Sequence, residues 1–172
     1  FRPAPLLAGV RNGYRNPLQL GADRFASAIG AHALYPGEAL IVATCGTATT
    51  VDAITPDGVF LGGMILPGLG LMASSLAKNT AQLPQVDSRI EIVTPFADNT
   101  TDAIISGCVA AQTGAIGQAL AAHAAQYREV RCILSGGAGR MLAPHLNHPS
   151  VQIDNLVLIG LQTVVMKQNP SC

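Results

Sequence analysis

Two short polar runs stand out in a chain that is otherwise strongly apolar. One is Asn16-Pro17-Leu18-Gln19-Leu20-Gly21-Ala22-Asp23-Arg24, and the other is Thr44-Cys45-Gly46-Thr47-Ala48-Thr49-Thr50-Val51-Asp52. With only 10 acidic and 10 basic residues in 172, a charge beside a glycine asks for a reason. If Gly21 ends a loop, Asp23 lies in the first turn of a helix, where free N–H groups and the helix dipole favour a carboxylate. The plain alternative is an ordinary first-turn acid. The functional one is a carboxylate that orients and deprotonates a substrate hydroxyl, with Arg24 holding a nearby anion or polar group in its fixed fork of donors. An aspartate of ordinary acidity is a weak base. It still serves in phosphoryl transfer, where it positions the attacking hydroxyl and accepts the proton late.

The second run joins two predicted strands. Gly46 permits a tight approach, and the backbone N–H groups and hydroxyls of Gly46-Thr47-Ala48-Thr49-Thr50 suit a phosphate oxygen. The competing reading is a hairpin whose threonines serve β propensity. Asp52 follows on the strand and faces either a cleft or solvent. Ser135-Gly136-Gly137-Ala138-Gly139 follows a strand and opens a helix, as backbone packed against a nucleotide base or ribose requires. It lacks the Lys-Ser/Thr ending of a P-loop. Asn99-Thr100-Thr101-Asp102 caps a long helix, which leaves Thr100 free to contact a ligand. His145 and His148 read as surface residues of a loop. Cys45, Cys108, Cys132 and Cys172 fall in no paired metal spacing, and three of them read as buried thiols of a reducing compartment.

The elements that must position these groups follow from periodicity. Residues 1–17 read as loop with one short strand at Leu6–Val10, and a helix runs from Leu18 to about Leu34, ended by Pro36-Gly37. Ala39–Ala43 fits a buried strand. Thr49–Ile54 alternates, Asp57-Gly58 is the strongest hairpin signal, and Val59–Leu66 returns. These three strands form an antiparallel meander. A helix reaches about Lys78, and a short strand is expected at Ile90–Val93. From about Thr101 to Tyr127, Ile104, Ile105, Cys108, Val109, Gln112, Ile116, Ala119, Leu120, His123 and Tyr127 keep one helical face. Gly107, Gly114 and Gly117 weaken that helix by about 1 kcal/mol each relative to Ala, and they make sense only if another backbone packs closely there. Cys132–Leu134 is a strand, Val151–Ile153 another, and Leu156–Met166 a closing helix. A meander followed by strands alternating with helices predicts a mixed sheet with packed helices. A dinucleotide fold would open with βαβ and an early glycine-rich loop, and this chain has neither.

Composition narrows the function classes. An apolar fraction of 49% excludes general disorder, and zero formal net charge offers no field for nucleic acid or an anionic membrane. The absence of Trp removes the best stacking platform for single strands. Few charges favour self-association. No apolar run reaches a membrane-spanning length without a break. The chain opens on Phe1 rather than Met, which reads as part of a longer protein.

The run Tyr14-Arg15-Asn16-Pro17 through Asp23-Arg24, with Gly30-Ala31, resembles the pantothenate-binding segment of type III pantothenate kinases, also called the Baf or Bvg accessory factor family. The resemblance continues through Gly46 to Asp52, Asp57-Gly58, Gly62 to Gly68, Met72, Ser75-Leu76, Thr80 to Pro84, Asn99-Thr100, Ala103 to Gly107 and Ser135 to Ala138. It implies an α/β actin-like ATPase (ribonuclease H-like) fold, in which residues 1–36 end an N-terminal domain and carry the inter-domain helix, and 37–172 form the C-terminal domain. It implies a cytoplasmic homodimer that uses ATP and Mg²⁺ to phosphorylate the primary hydroxyl of pantothenate, the first step of coenzyme A synthesis. Asp23 would be the proton acceptor, and Tyr14, Gly21, Ala22, Asp23 and Arg24 would bind pantothenate. Thr100 would reach it from the partner subunit, while Gly46, Thr47, Gly136 and Gly137 would bind ATP. Many members carry an Asp that ligates a monovalent cation, K⁺ or NH₄⁺, where this chain has Thr44. An uncharged hydroxyl is a poorer cation ligand. The family's N-terminal Asp-x-Gly-Asn-Thr phosphate loop lies outside this chain. Alternative readings are a regulatory Baf-type protein that keeps the kinase fold, and a kinase of the same superfamily acting on a sugar or acid.

Overall fold

The computed structural model describes residues 1–79 and 94–168. Along the chain run β1 (Leu6–Leu7), β2 (Val10–Asn12), α1 (Ala22–Leu34), β3 (Ala39–Cys45), β4 (Ala48–Ile54), β5 (Val59–Pro67) and α2 (Leu69–Asn79). There follow α3 (Thr100–Ala124), β6 (Val130–Ser135), α4 (Gly139–Leu142), β7 (Ser150–Gln152) and α5 (Leu156–Gln168). Among the described residues the strands form one seven-stranded sheet in the order β1-β2-β5-β4-β3-β6-β7. The expected antiparallel meander is β3, β4 and β5, while β6 runs parallel to β3 and β7 parallel to β6. Residues 1–36 contribute β1, β2 and α1 to this same layered unit, since β2 pairs in parallel with β5.

Helices cover both faces, which is why β3 reads as a continuous apolar run rather than an alternating one. On one face Ile41, Ala43, Val51, Cys132 and Leu134 pack with Ile104, Ile105, Cys108, Val109, Ile116 and Leu120 of α3. On the other, Leu40, Val42, Ile54, Phe60 and Ile133 pack with Phe25, Ala28 and Ile29 of α1 and with Leu156 and Val164 of α5. The 3.6 period of α3 therefore places its apolar stripe as expected. Among the described residues, α3 is the one helix long and apolar enough to cross a membrane, and that stripe lies in the core.

Three local expectations change. The single strand over Leu6–Val10 is instead a hairpin, β1 and β2, turning at Ala8 and Gly9 with φ of 49° and 88°. The helix predicted from Leu18 begins as a 3-10 turn over Pro17–Gln19, capped by Asn16, and α1 starts only at Ala22. The long helix stops at Ala124 rather than Tyr127. Among the described residues nothing lies within 4 Å of a Cβ built on Gly107, Gly114 or Gly117. Close helix packing occurs elsewhere: a Cβ on Gly160 of α5 would overlap the Ala26 carbonyl of α1, and one on Gly30 would meet Leu156 O at 2.5 Å. The strand expected at Ile90–Val93, the motif from Thr80 to Pro84, and Cys172 lie outside the described residues.

Candidate active site

The N-terminus of α1 and the strands beneath it form the first centre. Asp23 sits in the first turn of α1 and is exposed, with Oδ1 accepting from the Arg24 amide at 2.9 Å. A Cβ on Gly21 would lie 2.8 Å from that same carboxylate oxygen, so the glycine makes room for Asp23 to fold back over the helix start. Arg24 turns the other way. Only 6% exposed, it donates from Nε to Asp52 Oδ1 at 3.1 Å and from Nη1 to the Tyr14 hydroxyl at 2.7 Å. A second Asp52 bond from Nη2 closes the fork. The anion that Arg24 holds is thus the protein's own, and two of its five N–H donors remain.

Asp52 faces neither solvent nor an open cleft; it is 2% exposed. Its position on β4 shares parity with Ile54, which puts it on the α1 face. Gly63 lies directly across on β5, and a Cβ there would overlap the Asp52 carboxylate. Burial pushes the Asp52 carboxyl above its ordinary range, against the hydrogen bonds and charge of Arg24. Burial likewise disfavours the charge on Arg24, but Asp52 and Tyr14 outweigh it and hold the guanidinium above its usual value. Tyr14 packs on Phe60 with ring centroids 5.7 Å apart, and its loop is fixed by Asn12, which accepts from the Tyr14 amide and donates to Pro17 O, both at 3.0 Å. Sequence reasoning gave Asp52 no partner and overlooked Asn12. The legible signal was parity: a lone acid on the strand face that α1 covers, with one arginine in the first turn of α1.

The second centre is made of backbone. Gly46 and Thr47 form the two-residue turn between β3 and β4, and two other loops close on it. The Gly68 amide donates to Thr47 O at 2.8 Å and the Ala138 amide to Cys45 O at 3.1 Å. A Cβ on Gly68 would overlap Gly46 O, and one on Gly136, whose φ is 82°, would lie 2.5 Å from Cys45 O. Gly46, Thr47, Leu69, Gly70, Ala138 and Met141 line a cavity of about 380 Å³. Among the described residues none accepts from the Thr47 or Gly137 amides, and a Cβ on Gly137 would meet nothing within 4 Å. Exposed, uncommitted amides suit phosphate oxygens. Among the described residues no carboxylate lines this cavity, so those present do not fit a divalent cation by themselves.

Between the two centres, Thr50, Thr44 and Ser135 stand in register across β4, β3 and β6 and share the α1 face of the sheet. Thr100 opens α3, on the opposite face from α1, and lines a second cavity of about 600 Å³ with Pro67, Met72, Ile104, Gly107 and Cys108. Within one chain the sheet separates Thr100 from Asp23. The remaining expected site residues thus fall into two groups: Tyr14, Gly21, Ala22, Asp23 and Arg24 together, and Gly46, Thr47, Gly136 and Gly137 together.

A family profile described as type III pantothenate kinase matches residues 2–126. A type III pantothenate kinase of Janthinobacterium sp. (strain Marseille) is 63% identical over all of this chain and 67% of its own length. One of Herminiimonas arsenicoxydans is 60% identical with the same coverage. The chain thus spans about two thirds of the length of these curated relatives. Among solved structures, a Baf family transcriptional activator from Campylobacter jejuni superposes with a TM-score of 0.65 at 25% identity, covering 90% of this chain and 67% of that one. An archaeal actin homolog superposes with a TM-score of 0.51 at 15% identity, covering 84% and 54%. The fold is that of the actin-like ATPases, and the chain belongs to the type III pantothenate kinase family.

Proposed function

We propose that the intact protein transfers the γ-phosphoryl group of ATP to the primary hydroxyl of pantothenate, with Asp23 as proton acceptor. ATP-dependent phosphorylation of pantothenate, the first step of coenzyme A synthesis, is the activity that membership of this family carries. The observation that carries the residue assignment is the contrast between Asp23 and Arg24. Asp23 is exposed at a helix start, with its neighbour's charge already neutralised inside the fold. Asp23 is therefore available to a substrate hydroxyl. Arg24 acts mainly by fixing the Tyr14 hydroxyl and the start of α1, and Tyr14, Gly21 and Ala22 form the surface on which pantothenate lies.

The Thr47 and Gly137 amides, with Gly46 and Gly136 allowing close approach, hold phosphate oxygens of ATP. Phosphoryl transfer is then largely positioning. Mg²⁺ bound with ATP would supply charge neutralisation for the transferred group, and none of the described residues lining this cavity would hold it. At the Thr44 position the chain supplies only a hydroxyl, which leaves no carboxylate to hold K⁺ or NH₄⁺ there. Because the sheet separates Thr100 from Asp23, Thr100 contributes to the acceptor site of a second subunit, and the glycines of α3, with no described residue packed on them, belong to the face of a homodimer. A cytoplasmic location follows from the substrates.

A coupled assay of the intact protein tests this reading. ATP consumption should depend on pantothenate and should fall by about 10²–10⁴-fold in Asp23→Asn, with the circular dichroism spectrum unchanged. Mixing Asp23→Asn with Thr100→Ala protein should recover activity that neither has alone. Full activity in Asp23→Asn would remove that residue from catalysis.

A further inference from the structure

We infer that Gln112 is a positioning residue for the nucleotide turn, acting through the end of β5; the inference rests on reading Gly46-Thr47 as the phosphate contact. Gln112 is completely buried on the sheet-facing stripe of α3, among Cys108, Val109 and Ile116. Its Nε2 donates to Pro67 O at 2.6 Å and lies 3.2 Å from Met72 Sδ. Its Oε1 is buried with no partner among the described residues. An orphaned buried carbonyl destabilises a fold, and a methionine of the same length would fill the space without that penalty. What only the amide supplies is a donor for the Pro67 carbonyl.

That carbonyl is where the end of β5 is anchored. Pro67 is the last residue of the strand and pairs with Ala48, yet it has no N–H to give the ladder. The next residue, Gly68, donates to Thr47 O at 2.8 Å and sits against the Gly46 carbonyl too closely for any side chain. The line of contact therefore runs from α3 through Gln112, Pro67 and Gly68 to Thr47. A displacement at Pro67 moves the turn itself, because nothing compressible lies between them. The same helix begins at Thr100, about 18 Å away along its axis. One rigid element thus carries both the residue assigned to the acceptor site and the one that seats the nucleotide turn.

The test uses steady-state kinetics of the intact protein, with ATP and pantothenate varied separately. In Gln112→Met, KM for ATP should rise about fivefold to tenfold, as expected for one lost hydrogen bond, with KM for pantothenate within about twofold. Gln112→Glu keeps the shape. Ionised, it repels Pro67 O; protonated, it donates to it. The ratio of its kcat/KM for ATP to the wild-type value should therefore climb as pH falls, while the ratio for Gln112→Met stays flat. Equal changes in both KM values, no change in either, or a flat Gln112→Glu ratio would overturn the inference. If Gln112→Met does not fold, the Gln112→Glu ratio decides. Affinity of the same variants for a fluorescent ATP analogue without pantothenate reads the inference even if the wild type fails to turn pantothenate over, so the two failures are distinguishable.

Discussion

The proposed acceptor end and the proposed nucleotide end of this molecule are built from opposite materials. Around Asp23 the work is done by side chains: Arg24, Asp52, Tyr14 and Asn12 bond to one another, and Gly21 and Gly63 make space for carboxylates. Around Thr47 it is done by main chain, with three loops held by amide-to-carbonyl bonds and by glycines that allow carbonyls to touch. A hydroxyl substrate needs a charge at one place. A polyphosphate is met by many donors of equal chemistry, which the backbone provides. The first end should therefore respond to changes of charge and the second to changes of volume.

Asp52→Ala gives the largest expected effect. It leaves the Arg24 guanidinium buried and unpaired, which should cost about 3–5 kcal/mol in a denaturant titration. Adding Arg24→Met should restore much of that loss, because the two residues form one unit. If the two single losses simply add, the pair is not the unit described.

Gly68→Ala probes the other end. The new methyl overlaps Gly46 O, so the turn must move. A displacement of this kind is worth roughly 1–3 kcal/mol, read as a rise in KM for ATP with KM for pantothenate little changed. An unchanged ATP dependence would show that the turn tolerates displacement and would remove the contrast in volume.

The buried thiols of β3 and β6 add a third probe. Burial pushes Cys45 and Cys132 up to about 11. Their ordinary value is 9.0, so the unfolded chain releases these protons first as pH rises. Stability is accordingly full below pH 9 and falls toward pH 11, by at most about 2–3 kcal/mol per thiol. Urea midpoints at pH 8 and pH 11 measure it, and Cys45→Ala should flatten the slope. A slope unchanged in that variant would place its origin elsewhere.

How far the sequence reached differs between these ends. The turn at Gly46-Thr47 was legible because strand, glycine and hydroxyls are contiguous, and the hairpin at Asp57-Gly58 announced the meander. Asp23 was legible because a helix start is a local event. The Arg24–Asp52 bond joins residues 28 apart, and only the packing of α1 over β4 brings them together. The β1–β2 turn was hidden because Ala8 adopts a left-handed conformation that alanine does not advertise.

By itself the sequence determined the order and type of the main elements, the family, and which residues carry polar chemistry, because periodicity, turn residues and short motifs act over a few positions. The tertiary structure decided which of those groups are spent on one another. It turned Arg24 inward to a carboxylate of the same chain and put Thr100 and Asp23 on opposite faces of the sheet. Those outcomes depend on which faces pack together. Burial, not local propensity, sets that choice, through contacts between residues far apart in the chain.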